Sequence, residues 1–340
     1  MNNVLNTLAT IRANNDKLAN EKIDSKILLR ALKLENADSL LYNLGKKQTV
    51  KRNAGTNKVT WRRYKPLPVA DDRHIITEGV NPAGMKVGSM SVSGTVSVYG
   101  AYIEVTRQTE AYNLDKLLVD YAPLITSHAR ETLELITRDA IEEDGGNFYV
   151  VPAGTTAPNE DKITATGVLT LDKCRIVANT MKASRRKGFK NANRYAVVVS
   201  IETMQDLLDD EKLLKLYMAP GNTNKPTTDN SLAAIQVYNL AFYEYLYPVI
   251  STNTAGVTVH HSYVFGEDAY TVMDLESAGI EMKRLGFDAK MGDNLGQRAT
   301  IGWITMGFGA KVLDPVACTI ISHAVSNPIT RPTDIYASQE

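Results

Sequence analysis

The sequence predicts an α+β fold that carries an extended limb. Three patterns predict it: strand-like alternation over residues 59–64 and 87–105, helical spacing over about thirty residues up to Gly145, and long strands near the C-terminal end. Along the chain the predicted order is an arm, a hairpin, a long helix, a mixed α/β unit and closing strands. The sequence contains no internal repeat of fixed period.

Composition excludes several classes of protein before any motif is considered. The 340 residues include 38 basic and 38 acidic side chains, which argues against a polycation that coats nucleic acid and against an acidic solvating protein. Cys174 and Cys318 are too few for a disulfide framework, and we expect both to be small core residues. No apolar run is long enough for a signal peptide or a membrane span, so we expect a non-secreted protein without membrane contact.

The first 44 residues predict a polar helical arm. From Asp24 to Leu44 the apolar side chains lie on one helical face, and Gly45 is a suitable stop because glycine tolerates the left-handed conformation. Such an arm can pack on its own domain or on a neighbouring subunit.

A basic hairpin follows the arm. Between Ser39 and Ala70 there are eight Lys or Arg residues and no acid. Residues 59–64 form a β-branched and aromatic strand, and residues 87–105 supply its partner across a connection that contains Pro66 and Pro68. Subunit contact is favoured over nucleic-acid contact or a solvated face, since Arg and aromatic residues are enriched at interfaces. The candidate contact residues are Lys51, Arg52, Lys58, Trp61, Arg62, Arg63, Tyr64, Lys65 and Glu78.

The next segment predicts one long helix over about 113–144. Pro123 is expected to kink this helix or to begin its straight portion, because proline removes a backbone donor. Its acids are solvated side chains or partners for basic groups on another subunit. These candidates are Glu131, Glu134, Asp139, Glu142 and Glu143.

The remainder alternates helices and strands. Helices are predicted over 171–187 and 201–218, a buried strand over 195–200, and aromatic-rich strands over 235–251 and 257–275. Residues 219–232 form a turn-rich loop with little to bury, 279–296 is expected to be irregular, and 299–314 and 316–323 form two long strands. Gly302, Gly307 and Gly309 lie inside a strand pattern, which indicates bulges or close backbone approach.

Motifs for catalysis are absent from the sequence. There is no phosphate-binding glycine loop, no HExxH and no GxSxG pattern. His260 and His261 are adjacent on a strand and therefore point to opposite faces, which is unsuited to a shared metal. His128 falls on the apolar side of the long helix and is expected to be a hydrogen-bonded core residue. We expect no enzyme, no metal and no cofactor.

Six stretches resemble the major capsid proteins of tailed phages, in particular the N-four-like podophage coat protein family. They are Val59–Val69, Thr77–Pro82, Val98–Val105, Glu131–Asp139, Tyr195–Met204 and Gly302–Gly309. The resemblance implies a Hong Kong 97-like fold with an N-terminal arm (1–48), an E-loop (49–105) and an A-domain (165–270). It also implies a P-domain (106–164 and 271–340) whose spine helix is the long helix at about 113–144.

The function implied by this resemblance is assembly. The chain would form hexamers and pentamers of an icosahedral head shell around double-stranded DNA, with the E-loop reaching over a neighbour and burying Trp61 and Tyr64. Loop residues near the capsomer axis would be Asn222, Asn224, Lys225 and Asp229. Implied partners are other copies of the chain, portal, scaffolding and decoration proteins, and DNA contacted non-specifically, in a virion assembled in the host cytoplasm. The alternatives are an encapsulin-like nanocompartment shell and a nucleic-acid-binding or hydrolytic α+β protein.

Overall fold

The architecture described here is that of a computed structural model. It describes residues 39–51, 56–64, 67, 78–80, 84–112, 117–189, 194–218, 235–276, 279–288 and 293–328. Most of the predicted arm and the whole loop 219–232 lie outside these residues.

Helices and strands together confirm the α+β class. The helices are α1 (Leu40–Leu44), α2 (Arg107–Tyr112), α3 (Leu117–Asp144), α4 (Leu171–Ala183), α5 (Ile201–Asp209) and α6 (Glu211–Met218), with a 3₁₀ turn at Glu160–Lys162. The strands before α4 are β1 (Lys46–Val50), β2 (Lys58–Tyr64), β3 (Ser89–Thr95), β4 (Ser97–Thr106) and β5 (Gly146–Tyr149). The later strands are β6 (Tyr195–Ser200), β7 (Ile235–Val237), β8 (Leu240–Tyr245), β9 (Ile250–Thr252), β10 (Thr258–Phe265), β11 (Tyr270–Leu275), β12 (Glu281–Leu285), β13 (Arg298–Val312) and β14 (Cys318–Ala324).

A five-stranded sheet is organised around β13. The first half of this strand pairs antiparallel with both β4 and β12, and the second half pairs with β11, which carries β1 in parallel. The prediction that residues 279–296 are irregular is therefore wrong in part, because this segment contains β12. The strand was missed because Glu281-Met-Lys-Arg-Leu285 has a mostly polar composition and occupies the end of the sheet, where alternation of apolar residues is weak.

The second large sheet has seven strands. Its order is β5-β14-β10-β6-β8-β7, and β9 pairs with β10. Apolar residues of α4, α5 and α6 pack on one face, and residues of α1 and α3 pack on the other. All six residues of β6 are buried, as its continuous apolar sequence predicts. Strands β5 and β14, from the predicted P-domain segments, thus share a sheet with strands of the predicted A-domain.

The predicted helix over 201–218 is two helices. Asp210 separates α5 from α6, since its carboxylate accepts the backbone N–H of Lys212 at 3.0 Å and of Leu171 at 3.1 Å. A side chain that satisfies free N–H groups in this way stabilises a helix start, and the single-helix prediction is corrected accordingly.

The predicted long helix is confirmed as α3, which has 28 residues and contains Pro123. In its first half Ala122, Ile125 and Ala129 are buried against the β4–β13 part of the five-stranded sheet. In its second half Leu133 and Ile141 are buried against the core beneath the seven-stranded sheet. One helix therefore contributes to both cores, and it positions the two sheets relative to each other.

The predicted strand over 87–105 divides at Val96. Before this residue β3 pairs with β2, and after it β4 pairs with β13, so the hairpin and the five-stranded sheet are successive parts of one extended segment. The Val96 N–H donates to the Asn57 carbonyl at 3.0 Å, which extends the pairing of the hairpin, and the Val96 side chain is buried against Val50 of β1 and Met273 of β11. The base of the hairpin is thereby fixed to the body of the protein.

Close backbone approach at Gly302 is confirmed. This residue lies between Lys283 of β12 and Tyr102 of β4, and a Cβ atom there would lie 2.6 Å from the Ala101 carbonyl oxygen. The register of β13 against β4 also shifts between Thr305 and Phe308, which agrees with the bulge predicted from the glycines.

We expect Gly302→Ala to lower the free energy of unfolding by about 1–3 kcal/mol, because the added methyl group must displace backbone in a central strand. Gly286→Ala is the matched control, since a Cβ there meets only the Asp288 carboxylate at 3.6 Å. Urea denaturation of the unassembled chain measures both. Equal stability of the two variants would contradict the close approach.

Candidate inter-subunit surface

The β2–β3 hairpin (58–64 and 89–95) has two chemically different faces. Its strands pair antiparallel from Lys58 opposite Thr95 to Tyr64 opposite Ser89. Along β2 exposed and half-buried residues alternate without exception. Because successive side chains of a strand point to opposite faces, one face packs on the chain itself and the other meets solvent.

The inward face of the hairpin holds it on its own subunit. Val59 and Trp61 pack against the buried cluster of Val50, Val96 and Met273. Next along this face, Arg63 forms an ion pair with Asp314, with 2.5 Å between Nη1 and Oδ2. Trp61 and Arg63 were predicted to contact a neighbouring subunit, and within this chain they already have partners.

The outward face is formed by Lys58, Thr60, Arg62 and Tyr64. Tyr64 is 63% exposed, although tyrosine usually buries its ring. Beyond the strands, the described part of the hairpin end adds further exposed apolar side chains. They are Leu67, Val80, Met85 and Val87. Exposed apolar side chains in this number are typical of a surface that is covered in an assembly.

The other candidates from the basic stretch are distributed differently. Lys51 and Glu78 are exposed, the latter in a turn. Arg52 and Lys65 lie outside the described residues, as do Asn222, Asn224, Lys225 and Asp229 of the axial loop. The roles of these residues in subunit contact stay predictions.

Of the helix acids proposed as partners, several have partners within the chain. Glu131 accepts a hydrogen bond from Ser127 at 3.2 Å, and Asp139 pairs with Arg138 at 2.7 Å while remaining 65% exposed. Glu143 is exposed. Asp139 and Glu143 are therefore the two that present their carboxylates to solvent.

Glu134 is fully buried and belongs to the interior. Its two carboxylate oxygens accept the backbone N–H groups of Leu41 at 2.7 Å and Tyr42 at 3.0 Å, which joins α1 to α3. Burial raises the pKa of Glu134 to about 7, against the lowering effect of these hydrogen bonds. Its predicted role as a surface acid does not fit this position. Helical spacing alone gave no indication that α1 would cover it.

Glu142 also bonds within the chain, in a cluster that sequence reasoning missed. His261 Nδ1 lies 2.9 Å from Glu142 Oε2 and its Nε2 lies 3.1 Å from Glu160, while the Tyr263 hydroxyl donates to Glu142 at 2.6 Å. Burial lowers the pKa of His261, but the hydrogen bond and charge of Glu142, with those of Glu160, raise it above its ordinary value. The cluster joins the end of α3 to the 3₁₀ turn. The alternation of β10 could have indicated that His261 and Tyr263 share a face.

Most of the other side chains capable of acid–base or nucleophilic chemistry are buried. Cys174 and Cys318 are buried as expected, and burial raises the pKa of the Cys174 thiol to about 12. Ser200 and His260 are 3.1 Å apart, but both are buried and Ser200 accepts the Thr203 N–H as the cap of α5. His128 is hydrogen-bonded to Trp303 at 3.1 Å as predicted, although it is exposed and the predicted core position is wrong.

Two features are absent from the described part of the chain. There, no group of three or more His, Cys, Asp or Glu side chains is arranged to hold a metal ion. Among the helices described, none combines the length and apolar character that crossing a membrane requires.

Solved structures with a similar fold are phage head shells. The capsid of Ralstonia phage GP4 matches with a TM-score of 0.63 and 10% identity, over 85% of this chain and 89% of that one. The capsid of cyanophage P-SCSP1u matches with a TM-score of 0.58 and 11% identity, over 83% and 87%. The cyanophage Pam1 capsid matches with a TM-score of 0.57 and 10% identity, over 87% and 94%. These likenesses define the class of fold.

The sequence identifies the family. The profile of a phage capsid protein family matches residues 89–321, which is more than half of the chain, and the chain therefore belongs to that family. A search of curated proteins gives no match. The chain is a major capsid protein that builds the shell of a phage head, as the resemblance implied, and its role is structural.

We expect the free energy of unfolding to depend on pH through Glu134. The pKa of about 7 in the folded state lies above the ordinary value of 4.5, so between these values the folded state keeps a proton that the unfolded state has lost. Stability from this group is therefore fully present below pH 4.5 and is lost as pH rises through 7, by up to about 3 kcal/mol.

Glu134→Gln removes this titration, so its unfolding free energy should change less than wild type between pH 4.5 and 7.5. Urea denaturation across this range measures the difference. Glu131→Gln is the control for the substitution itself, because it makes the same change on α3 at a side chain that is only half-buried. Identical profiles for Glu134→Gln and wild type would contradict the assigned burial of the carboxylate.

Proposed function

We propose that the chain adopts the Hong Kong 97-like subunit arrangement and that the β2–β3 hairpin is its E-loop, which lies over a neighbouring subunit in the shell. The observation that carries this proposal is the outward face of the hairpin, where Arg62 and Tyr64 are exposed, together with further exposed apolar residues in the described part of the hairpin end. In the described residues the hairpin forms a two-stranded sheet of its own. Such a limb gains little stability alone and gains more against a second surface.

Charge supports a second copy of the chain as that surface. The segment 39–70 carries eight cations and no acid, whereas the complete chain is neutral. Acids must therefore be in excess elsewhere, and Asp139 and Glu143 are exposed on α3. A cationic limb on one copy and acidic surfaces on another are complementary, and many weak contacts of this kind add up across a shell.

The remaining assignments are proposals that rest on the resemblance to phage coat proteins. The arm is 1–48, the A-domain 165–270, and the P-domain 106–164 with 271–340, in which α3 is the spine helix. Hexamers and pentamers would close around the 219–232 loop. The shell would enclose double-stranded DNA, contact it non-specifically, and assemble in the host cytoplasm with portal, scaffolding and decoration proteins.

The double variant Arg62→Glu/Tyr64→Ala tests the hairpin assignment. Both side chains point to solvent in the single chain, so the variant should fold with a stability within about 0.5 kcal/mol of wild type. We expect the assembled fraction to fall at least about tenfold, since the penalty recurs at every subunit. Size-exclusion chromatography with light scattering, followed by electron microscopy, measures this fraction.

Arg62→Lys/Tyr64→Phe is the matched control, because it keeps the charge and the ring. It should form shells of ordinary size. Wild-type yields of shells from Arg62→Glu/Tyr64→Ala would exclude the outward face as a subunit contact.

A further inference from the structure

Asp314 connects the hairpin to the body through a carboxylate that two arginines share. It lies in the turn between β13 and β14, and its side chain is only 5% exposed. Oδ1 accepts the backbone N–H of Val316 at 3.2 Å, while Oδ2 forms ion pairs with Arg63 of the hairpin and with Arg186. The carboxylate is therefore held in one orientation by its own turn.

Arg186 belongs to the body and is itself fixed. Its backbone N–H donates to the Met181 carbonyl at 2.8 Å, and its carbonyl accepts the Tyr195 hydroxyl at 2.7 Å. Arg63, in contrast, is carried by the separate two-stranded hairpin. One of the two cations can therefore leave with the hairpin while the other stays.

We propose that Arg63, Asp314 and Arg186 form a releasable latch that holds the hairpin on its own subunit, with Arg186 as the group that permits release. A buried carboxylate left without a counter-charge is strongly unfavourable, so a simple Arg63–Asp314 pair would resist opening. With Arg186 present, Asp314 keeps a partner after Arg63 departs. The two guanidinium groups also repel each other, which weakens each pairing.

This latch deepens the proposed function, on which it rests. The inward face also packs Val59 and Trp61 on a small apolar cluster, and Gly94 of β3 lies close to Met273 and Lys311. The ion pair adds an electrostatic attraction at one point of this face, which the apolar packing alone does not supply. Arg186 is thus a positioning residue for the hairpin: it adjusts how easily the limb leaves its own subunit to reach a neighbour, without contacting that neighbour.

Hydrogen–deuterium exchange of the unassembled full-length chain tests the latch at the amides of β2 and β3. Arg63→Gln should speed hairpin exchange about fivefold, as expected for loss of a partly exposed ion pair. Arg186→Gln should slow it by a similar factor, because Arg63 becomes the sole counter-charge of Asp314. A merely structural Arg186 would give the opposite sign, since its loss would loosen the region.

Arg62→Gln is the matched control, as its side chain lies on the outward face and should leave hairpin exchange unchanged. The amides of β6 report on general loosening, and hairpin rates are compared with them. Unchanged or faster hairpin exchange in Arg186→Gln overturns the latch. If Arg186→Gln does not fold, unchanged hairpin exchange in Arg63→Gln overturns it instead. The assay uses unassembled chains, so its outcome is separate from whether Arg62→Glu/Tyr64→Ala forms shells.

Discussion

The structure depends first on the packing of α3 across two sheets. Small side chains such as Ala122 and Ala129 allow close approach to the five-stranded sheet, and larger ones such as Leu133 and Ile141 fill the core of the seven-stranded sheet. The helix also carries the buried Glu134, whose carboxylate accepts hydrogen bonds from the backbone of α1 and so fixes α1 against α3. Protein interiors are closely packed and therefore transmit displacements, so a shift of α3 would move both sheets.

The hairpin shows how period-two geometry separates two tasks within one strand. Arg62 and Arg63 are adjacent in sequence and have opposite environments, because one points to solvent and the other to Asp314. The same segment can therefore be held by its own subunit and offer a face to another. Exact neutrality of the chain conceals a limb with eight cations, and the compensating acids lie elsewhere on the subunit. A shell built from identical copies can bring such surfaces together.

Sequence reasoning succeeded where a pattern is strong and local. The uninterrupted apolar run Tyr195–Ser200 was located to the residue, and the long helix was recognised despite Pro123. It failed where tertiary partners decide. β12 became a strand because β13 offers it hydrogen bonds, and the helix pair α5–α6 is interrupted because Asp210 caps α6. Propensity is a weak guide at such positions, since neighbouring elements override it.

The sequence by itself determined the α+β class, the basic hairpin, the long helix and the resemblance to phage coat proteins, because periodicity and composition are properties of the chain alone. Only the tertiary structure decided which charged residues are available to another subunit. Glu134, Glu142 and Arg63 look like surface groups in the sequence, and each is engaged within the chain by a residue at least 90 positions away. Whether a charge is solvated or paired depends on such distant contacts, which no local pattern specifies.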